Sequence, residues 1–373
     1  MITPQLAGEV AEALAAGEPV VALETTLVSH GFSEGRGLAA AQAAEARVRG
    51  AGAIPATVGV VDGALRVGLD AGDLERFAAA GTSARKVGAR DLAACIVQGA
   101  LGATTVGGTL AACRATGIRF LATGGTGGVH RGFAQSLDIS ADLPQIARTP
   151  AVVVSSGAKS ILDVAATAEL LETLGIPVLG WRTPTLPLFY SADGGPAVSA
   201  VVTASDEVAA IARTHWRING TSGLLLARPP EPALDIEPIL AEAVRRVRDQ
   251  GVTGQLVTPS VLALVHELSG GRSIEVNRQL IADNAALAAE VAVAYARTLL
   301  PAAWASPPGV AATLAGCRPT TRVWPARQWE TSVWPICARR SSGGCAKPGR
   351  RPVRWARKRT SRAAWSSPAS RCR

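Results

Sequence analysis

Lys159 is the residue best placed in this chain to act as a nucleophile. It lies in Val152-Val153-Val154-Ser155-Ser156-Gly157-Ala158-Lys159-Ser160-Ile161-Leu162-Asp163, between an apolar strand-like run and an apolar helix-like run. Partial desolvation there disfavours the ammonium and frees the amine to attack a carbonyl or anomeric carbon. A lysine snorkelling from a helix start is the competing reading. Only Lys86 and Lys159 occur before residue 301, in a chain otherwise rich in arginine. Arginine keeps its proton and cannot form a Schiff base, so both lysines look chemically selected.

Three further groups carry possible chemistry. Glu24 ends Val21-Ala22-Leu23-Glu24, ahead of Thr25-Thr26 and Ser29-His30-Gly31. An acid just beyond a strand's carboxyl end is where α/β proteins place sites, although it could simply cap the next segment. Residues 122–132 contain five glycines and end in His130-Arg131-Gly132. Such a loop can cradle an anion on backbone N–H groups, so a phosphate or sugar-phosphate site is expected. It is neither a Walker A loop nor G-x-G-x-x-G. Next come Asp138 and Ser140-Ala141-Asp142. Ser140 suits a helix N-cap and Asp142 a first turn, whereas Asp138 could anchor a hard cation with waters.

These residues need a scaffold, and the chain alternates between strand and helix periods. Strands are expected at 20–25, 119–123, 151–155, 177–181 and 223–227. Helices are expected at 5–16, 37–49, 74–79, 91–101, 109–116, 160–174, 206–216, 236–249, 259–268 and 274–296. Residues 56–61 and 64–67 flank Asp62-Gly63, a type I′ hairpin signal. The pattern predicts a three-layer α/β/α domain with a mixed central sheet.

Composition separates a body from a tail. After residue 300 fall 15 of the 38 Lys and Arg and one of the 29 acids, so residues 1–300 carry −5 and the remainder +14. The same tail holds six of eight tryptophans, four of six cysteines, and no period of 2 or 3.6. It cannot build a core, and is expected to be disordered or the product of a frameshift. Residues 1–299 form the expected domain and 300–373 the basic tail. Two separated body cysteines, Cys95 and Cys113, suit a reducing cytoplasm. No membrane span or targeting segment is expected, and nucleic acid should bind only non-specifically, through the tail.

Several runs, in order and spacing, resemble the pseudouridine-5′-phosphate glycosidases, the indigoidine-synthase-A-like family. They are Glu24-Thr25-Thr26, Lys86-Val87-Gly88-Ala89-Arg90-Asp91-Leu92, Thr104-Thr105-Val106, the glycine loop, Asp138 to Leu143, and Gly157 to Asp163. Thr258-Pro259, Gly270-Gly271-Arg272-Ser273 and Asp283-Asn284-Ala285-Ala286-Leu287-Ala288 continue the match, which covers residues 5 to about 297. Phe32-Ser33-Glu34-Gly35-Arg36 and Arg278-Gln279 depart from the family pattern.

The resemblance implies a Mn²⁺-dependent, homotrimeric enzyme that reversibly splits pseudouridine 5′-phosphate into uracil and ribose 5-phosphate. It implies Lys159 as the nucleophile and Glu24 as the proton donor and acceptor. Asp138 would be the one protein ligand of Mn²⁺. Lys86, His130, Ser140, Ala141 and Asp142 would contact the sugar phosphate. Thr105, the Val106 backbone, and either Asn277 or Asn284 would contact uracil. The chemistry is coherent: a C–C glycosidic bond offers no lone pair on its leaving atom, so a lysine imine must serve as the electron sink. A different Schiff-base lyase or aldolase, or an RNA-associated protein using the basic tail, are the other readings of the same residues.

Overall fold

The computed structural model describes residues 3–32, 35–252 and 257–298, without the side chains of 258 and 259. Its strands are β1 Gln5–Leu6, β2 Val20–Glu24, β3 Ile54–Val61, β4 Ala64–Val67, β5 Arg85–Val87, β6 Gly102–Thr104, β7 Phe120–Ala122, β8 Val152–Ser155, β9 Val178–Trp181, β10 Ala200–Val202 and β11 Leu224–Ala227. The helices are α1 Gly8–Ala16, α2 Thr26–Ser29, α3 Arg36–Gly50, α4 Ala71–Ala80, α5 Leu92–Val97, α6 Val106–Thr116, α7 Phe133–Ser136, α8 Asp142–Ala147, α9 Val164–Thr173, α10 Ser205–Asn219, α11 Glu237–Asp249, α12 Val257–Leu268 and α13 Arg272–Arg297.

One sheet runs β1-β4-β3-β2-β7-β8-β11-β9-β10, with β6 on β3 and β5 on β6. Only β3–β4 and β3–β6 are antiparallel, so the sheet is mixed, as expected. Both sheet faces are covered. Phe120 and Ala122 join one hydrophobic core while Leu121 joins the other, and Val152 and Val154 alternate with Val153 in the same way. Strands buried on both faces read as continuous apolar runs, which is why β7, β8 and β11 are visible in the sequence. The hairpin is also as expected: Asp62 and Gly63 have φ of 51° and 75°, as a type I′ turn requires.

Several boundaries differ from the sequence reading. Residues 5–6 pair with β4, so the first helix starts at Gly8. The helix expected at 160–174 starts only at Val164, where the Asp163 carboxylate accepts the Ala166 N–H at 3.0 Å. Lys159 therefore lies in a turn ahead of the helix. The helix expected at 109–116 starts at Val106, with Thr105 as its N-cap. The three-residue strands β5, β6 and β10 carry too short a pattern to read alone. The tail beyond residue 298 lies outside the described residues.

Helix α13 packs against α3 and α10 and across β2, β7 and β8. Asn284, fully buried, clamps it there. Its Nδ2 donates to the Thr123 carbonyl at 2.9 Å and to Ser156 Oγ at 3.2 Å. These are the residues that follow β7 and β8. Asn284→Ala leaves their polar atoms dry and unpaired, a loss of about 1–3 kcal/mol. The urea midpoint should fall accordingly; an unchanged midpoint would show that the clamp carries no weight.

Candidate active site

Three adjacent strand ends bring the chemistry together. β2 pairs with β7 and β7 with β8, with Leu23, Ala122 and Val154 in register. One residue further on, β2 delivers Glu24 and β7 delivers Thr123; the chain leaving β8 turns back to deliver Lys159. Crevices beyond the carboxyl ends of parallel strands are open to ligands because the helices cover only the faces.

Glu24 is 4% exposed. The hydroxyls of Thr123 and Thr26 each donate to one of its carboxylate oxygens. Beneath it, the Thr25 hydroxyl donates to the Val58 carbonyl and accepts the Thr104 N–H, both at 2.8 Å. This buried threonine lattice fixes the strand end, and so the direction of the carboxylate.

Lys159 is set by a tight turn. Gly157 has φ of 83°, and a Cβ there would lie 2.0 Å from the Pro187 carbonyl oxygen. The turn is stitched to the glycine loop: Thr126 N–H donates to the Gly157 carbonyl at 3.0 Å, and Lys159 N–H to the Thr126 carbonyl at 3.1 Å. Lys86 comes from β5, paired with Ala103. Among the described residues neither lysine's ammonium makes a hydrogen bond or ion pair. Burial, and then the nearby Lys159 charge, hold the Lys86 amine below its usual range.

Two cavities meet at Thr26, Lys86 and Lys159. The first is a narrow slot walled by Glu24, His30, Phe32, Thr123, Phe189 and Asn277. The second is a polar basin walled by Thr105, His130, Asp138, Ser140, Ala141 and Asp142. His130 Nδ1 lies 3.7 Å from Asp138 Oδ2. Burial pushes the His130 imidazole down, the Asp138 carboxylate pulls it up, and the two lysines push it further down.

The geometry sorts the sequence candidates. Lys159, Glu24, Lys86, His130, Asp138 and Ser140 to Asp142 all converge. Asn277 walls the slot, whereas Asn284 is sealed in its clamp, so only Asn277 is free to meet a ligand. Thr105 walls the basin and not the slot, which separates it from Asn277, its expected partner at uracil. Val106 opens α6 beside it and is buried.

The glycine loop, expected to cradle an anion, commits part of its backbone to the fold. Several of its N–H groups are already used: Gly127 donates to Asp142 Oδ2 at 3.0 Å, Val129 to Thr167 Oγ1 at 3.0 Å and His130 to the Asp138 carbonyl at 3.0 Å. The glycines answer crowding instead. A Cβ on Gly127 would lie 2.1 Å from Ser140 Oγ, and one on Gly128 would lie 2.5 Å from Thr167 Oγ1. Arg131 is also diverted: its guanidinium bonds the Leu162 and Ser160 carbonyls and Glu237. The Asp142 carboxylate accepts the Gly107 N–H of α6 at 2.8 Å as well, joining that helix start to the loop. Ser140 Oγ accepts the Asp142 N–H at 3.2 Å, one residue ahead of the α8 cap position, Ala141.

Phe189, Leu262 and Ile281 of the slot were not singled out by sequence, nor was Phe32 as a wall residue. They are ordinary core residues by type, and only their convergence reveals them. His30 was visible within Ser29-His30-Gly31. Among the described residues its Nδ1 is buried without a partner, and burial followed by the Lys86 charge lowers its basicity. The departure at Arg278-Gln279 faces away from the slot: Arg278 pairs with Glu275 at 2.9 Å and Gln279 bonds Asp283 at 3.1 Å.

The sequence profile described as indigoidine synthase A like protein matches residues 9–294. The chain belongs to the indigoidine synthase A-like family. A relative from Chloroflexus aurantiacus named pseudouridine-5′-phosphate glycosidase is 46% identical over 299 residues, covering 78% of this chain and 97% of its own. One of the same name from Saccharopolyspora erythraea is also 46% identical, covering 79% of this chain and 98% of its own. Among solved structures, the prealnumycin C-glycosynthase AlnA in complex with ribulose 5-phosphate is similar at a TM-score of 0.73 and 38% identity. That likeness covers 80% of this chain and 98% of that one. An indigoidine synthase A-like protein from Thermotoga maritima gives 0.70 and 34%, covering 79% and 97%.

Placing an amine in a desolvated family site costs stability. Lys86→Met should raise the unfolding free energy at neutral pH by on the order of 1 kcal/mol, while impairing function. With its folded pKa lowered, Lys86 binds fewer protons folded than unfolded between that pKa and the ordinary lysine value. Wild-type stability therefore rises with pH across that window, and the variant should lose this rise. Denaturation curves from neutral to alkaline pH check both; a destabilised variant would contradict the argument.

Proposed function

We propose that this protein reversibly cleaves pseudouridine 5′-phosphate to uracil and ribose 5-phosphate through a lysine imine. One observation carries the reading. An unpaired lysine amine stands at the junction of a slot holding a buried carboxylate and a polar basin holding a histidine and an aspartate. The names of the relatives support the same substrate, and ribulose 5-phosphate in AlnA supports a sugar-phosphate site.

In the cleavage direction the Lys159 amine attacks the anomeric carbon and the ring C–O bond breaks, its oxygen gaining a proton. The nitrogen lone pair then expels the heterocycle. The C–C bond electrons go to the uracil carbon, and the Glu24 carboxylic acid supplies the proton there. Water hydrolyses the resulting imine to free Lys159 and ribose 5-phosphate, and synthesis is the reverse. Asn277 is free to bond the heterocycle. Lys86, His130 and the Ser140–Asp142 turn suit the sugar phosphate. Thr105 and the start of α6 belong with this basin set, since a helix N-terminus favours anions.

Asp138 fits as the single protein anchor of a divalent cation, Mn²⁺ in this reading. Its side chain is 37% exposed, on the basin wall. Among the described residues there is no group of three or more His, Cys, Asp or Glu to supply further ligands. Waters and substrate oxygens would complete the shell. When bound, the ion would supply positive charge to orient and screen the sugar phosphate. A cytoplasmic homotrimer completes the proposal and rests on family membership. Among the described residues no helix is long and apolar enough to cross a membrane.

The wild-type protein should release uracil from pseudouridine 5′-phosphate, followed by ultraviolet absorbance. Lys159→Ala should lower kcat by at least about a hundredfold and lose the borohydride-trapped adduct with ribose 5-phosphate. Trapping without uracil release would instead indicate another imine-forming lyase. Asp138→Ala should weaken Mn²⁺ binding in calorimetry and lower the rate, with partial rescue by excess metal. Wild-type activity unaffected by thorough chelation would remove the cation from the scheme.

A further inference from the structure

Phe189 is a bulky residue in a backbone conformation that such residues rarely adopt. Its φ is 66°, inside the left-handed region, and its side chain is 3% exposed. Three contacts hold it there. Its N–H donates to the Ser156 carbonyl at 3.0 Å. Its ring meets Tyr190 edge-to-face, with centroids 4.6 Å apart. The Leu188 N–H donates to the Ser191 carbonyl at 3.0 Å and closes the turn around it. Strain of this kind persists where the surrounding structure over-determines it, and it concentrates at functional sites.

The ring's other contact gives the strain a purpose. It presses on Gly125 of the glycine loop so closely that an added Cβ would lie 2.5 Å from Phe189 Cδ2. Gly125 and Phe189 thus form one wall of the slot, which also contains Glu24, Lys159 and Asn277. The reacting carboxylate and amine are in this slot, so the leaving group must occupy it. A planar unsaturated ring there would meet the Phe189 ring, with Asn277 available to its polar edge. An ordinary backbone at residue 189, or any side chain at residue 125, would displace that wall.

We propose that Phe189 is a specificity-determining residue, its ring held against Gly125 to contact the leaving heterocycle. This rests on the proposed glycosidase activity and adds the element that selects the base. It separates two tasks: the basin and Lys159 take the sugar phosphate, and the Phe189 wall takes the ring.

The test measures coupling of uracil to ribose 5-phosphate and, separately, borohydride trapping of ribose 5-phosphate on Lys159. Phe189→Leu keeps apolar bulk but loses the aromatic face. It should raise KM for uracil about tenfold, the scale of one aromatic contact, and leave KM for ribose 5-phosphate and trapping intact. Phe189→Tyr retains the face and should keep a near-normal KM for uracil. The proposal is overturned if the Leu variant binds uracil normally, if it loses trapping along with uracil affinity, or if the Tyr variant behaves like Leu. Wild-type protein that traps ribose 5-phosphate but never couples it to uracil defeats the glycosidase reading itself and the wall with it. That outcome is distinct from normal wild-type coupling with an indifferent Leu variant.

Discussion

The site depends on keeping two amines close together with, among the described residues, no carboxylate bonded to either. For Lys86, burial and then the nearby Lys159 charge lower the amine's basicity. Three acids lie near Lys86 and Lys159, and each is directed elsewhere. Glu24 takes two threonine hydroxyls, Asp142 takes two backbone N–H groups, and Asp138 Oδ2 lies 3.7 Å from His130 Nδ1. Charge is thus present to balance the site without quenching its nucleophile.

Those diversions also shape the cavity. Asp142 ties the start of α6 to the glycine loop, and the Gly157 turn ties that loop to Lys159. The loop is therefore a packed partition between slot and basin. Its glycines let Ser140, Thr167 and Phe189 press against the backbone. The Lys159 amine stands where the two compartments join.

Helix α13 closes the arrangement from behind. Asn284 bonds the residues that follow β7 and β8, while Asn277, seven residues earlier on the same helix, lines the slot. Two turns of helix carry them to one face. One residue is spent on holding the helix and the other is left for a ligand. Helical period likewise puts Arg278 and Gln279 outside, away from the slot.

Much of this was legible in the sequence. Apolar runs without alternation marked the doubly covered strands, Asp62-Gly63 marked the hairpin, and the scarcity of lysine marked Lys86 and Lys159. Local chemistry dictates these features, since burial on two faces, a type I′ turn and an ionisable amine each require particular residue types. Tertiary structure alone decided the rest. Sequence could not choose between Asn277 and Asn284, because both are amides on one helix and only the packing partner distinguishes them. It could not see that Asp142, Thr167 and the Asp138 carbonyl take up three of the glycine loop's N–H groups. It passed over Phe189, whose type is that of any core residue, because a ring becomes a wall only when distant segments fold against its two sides.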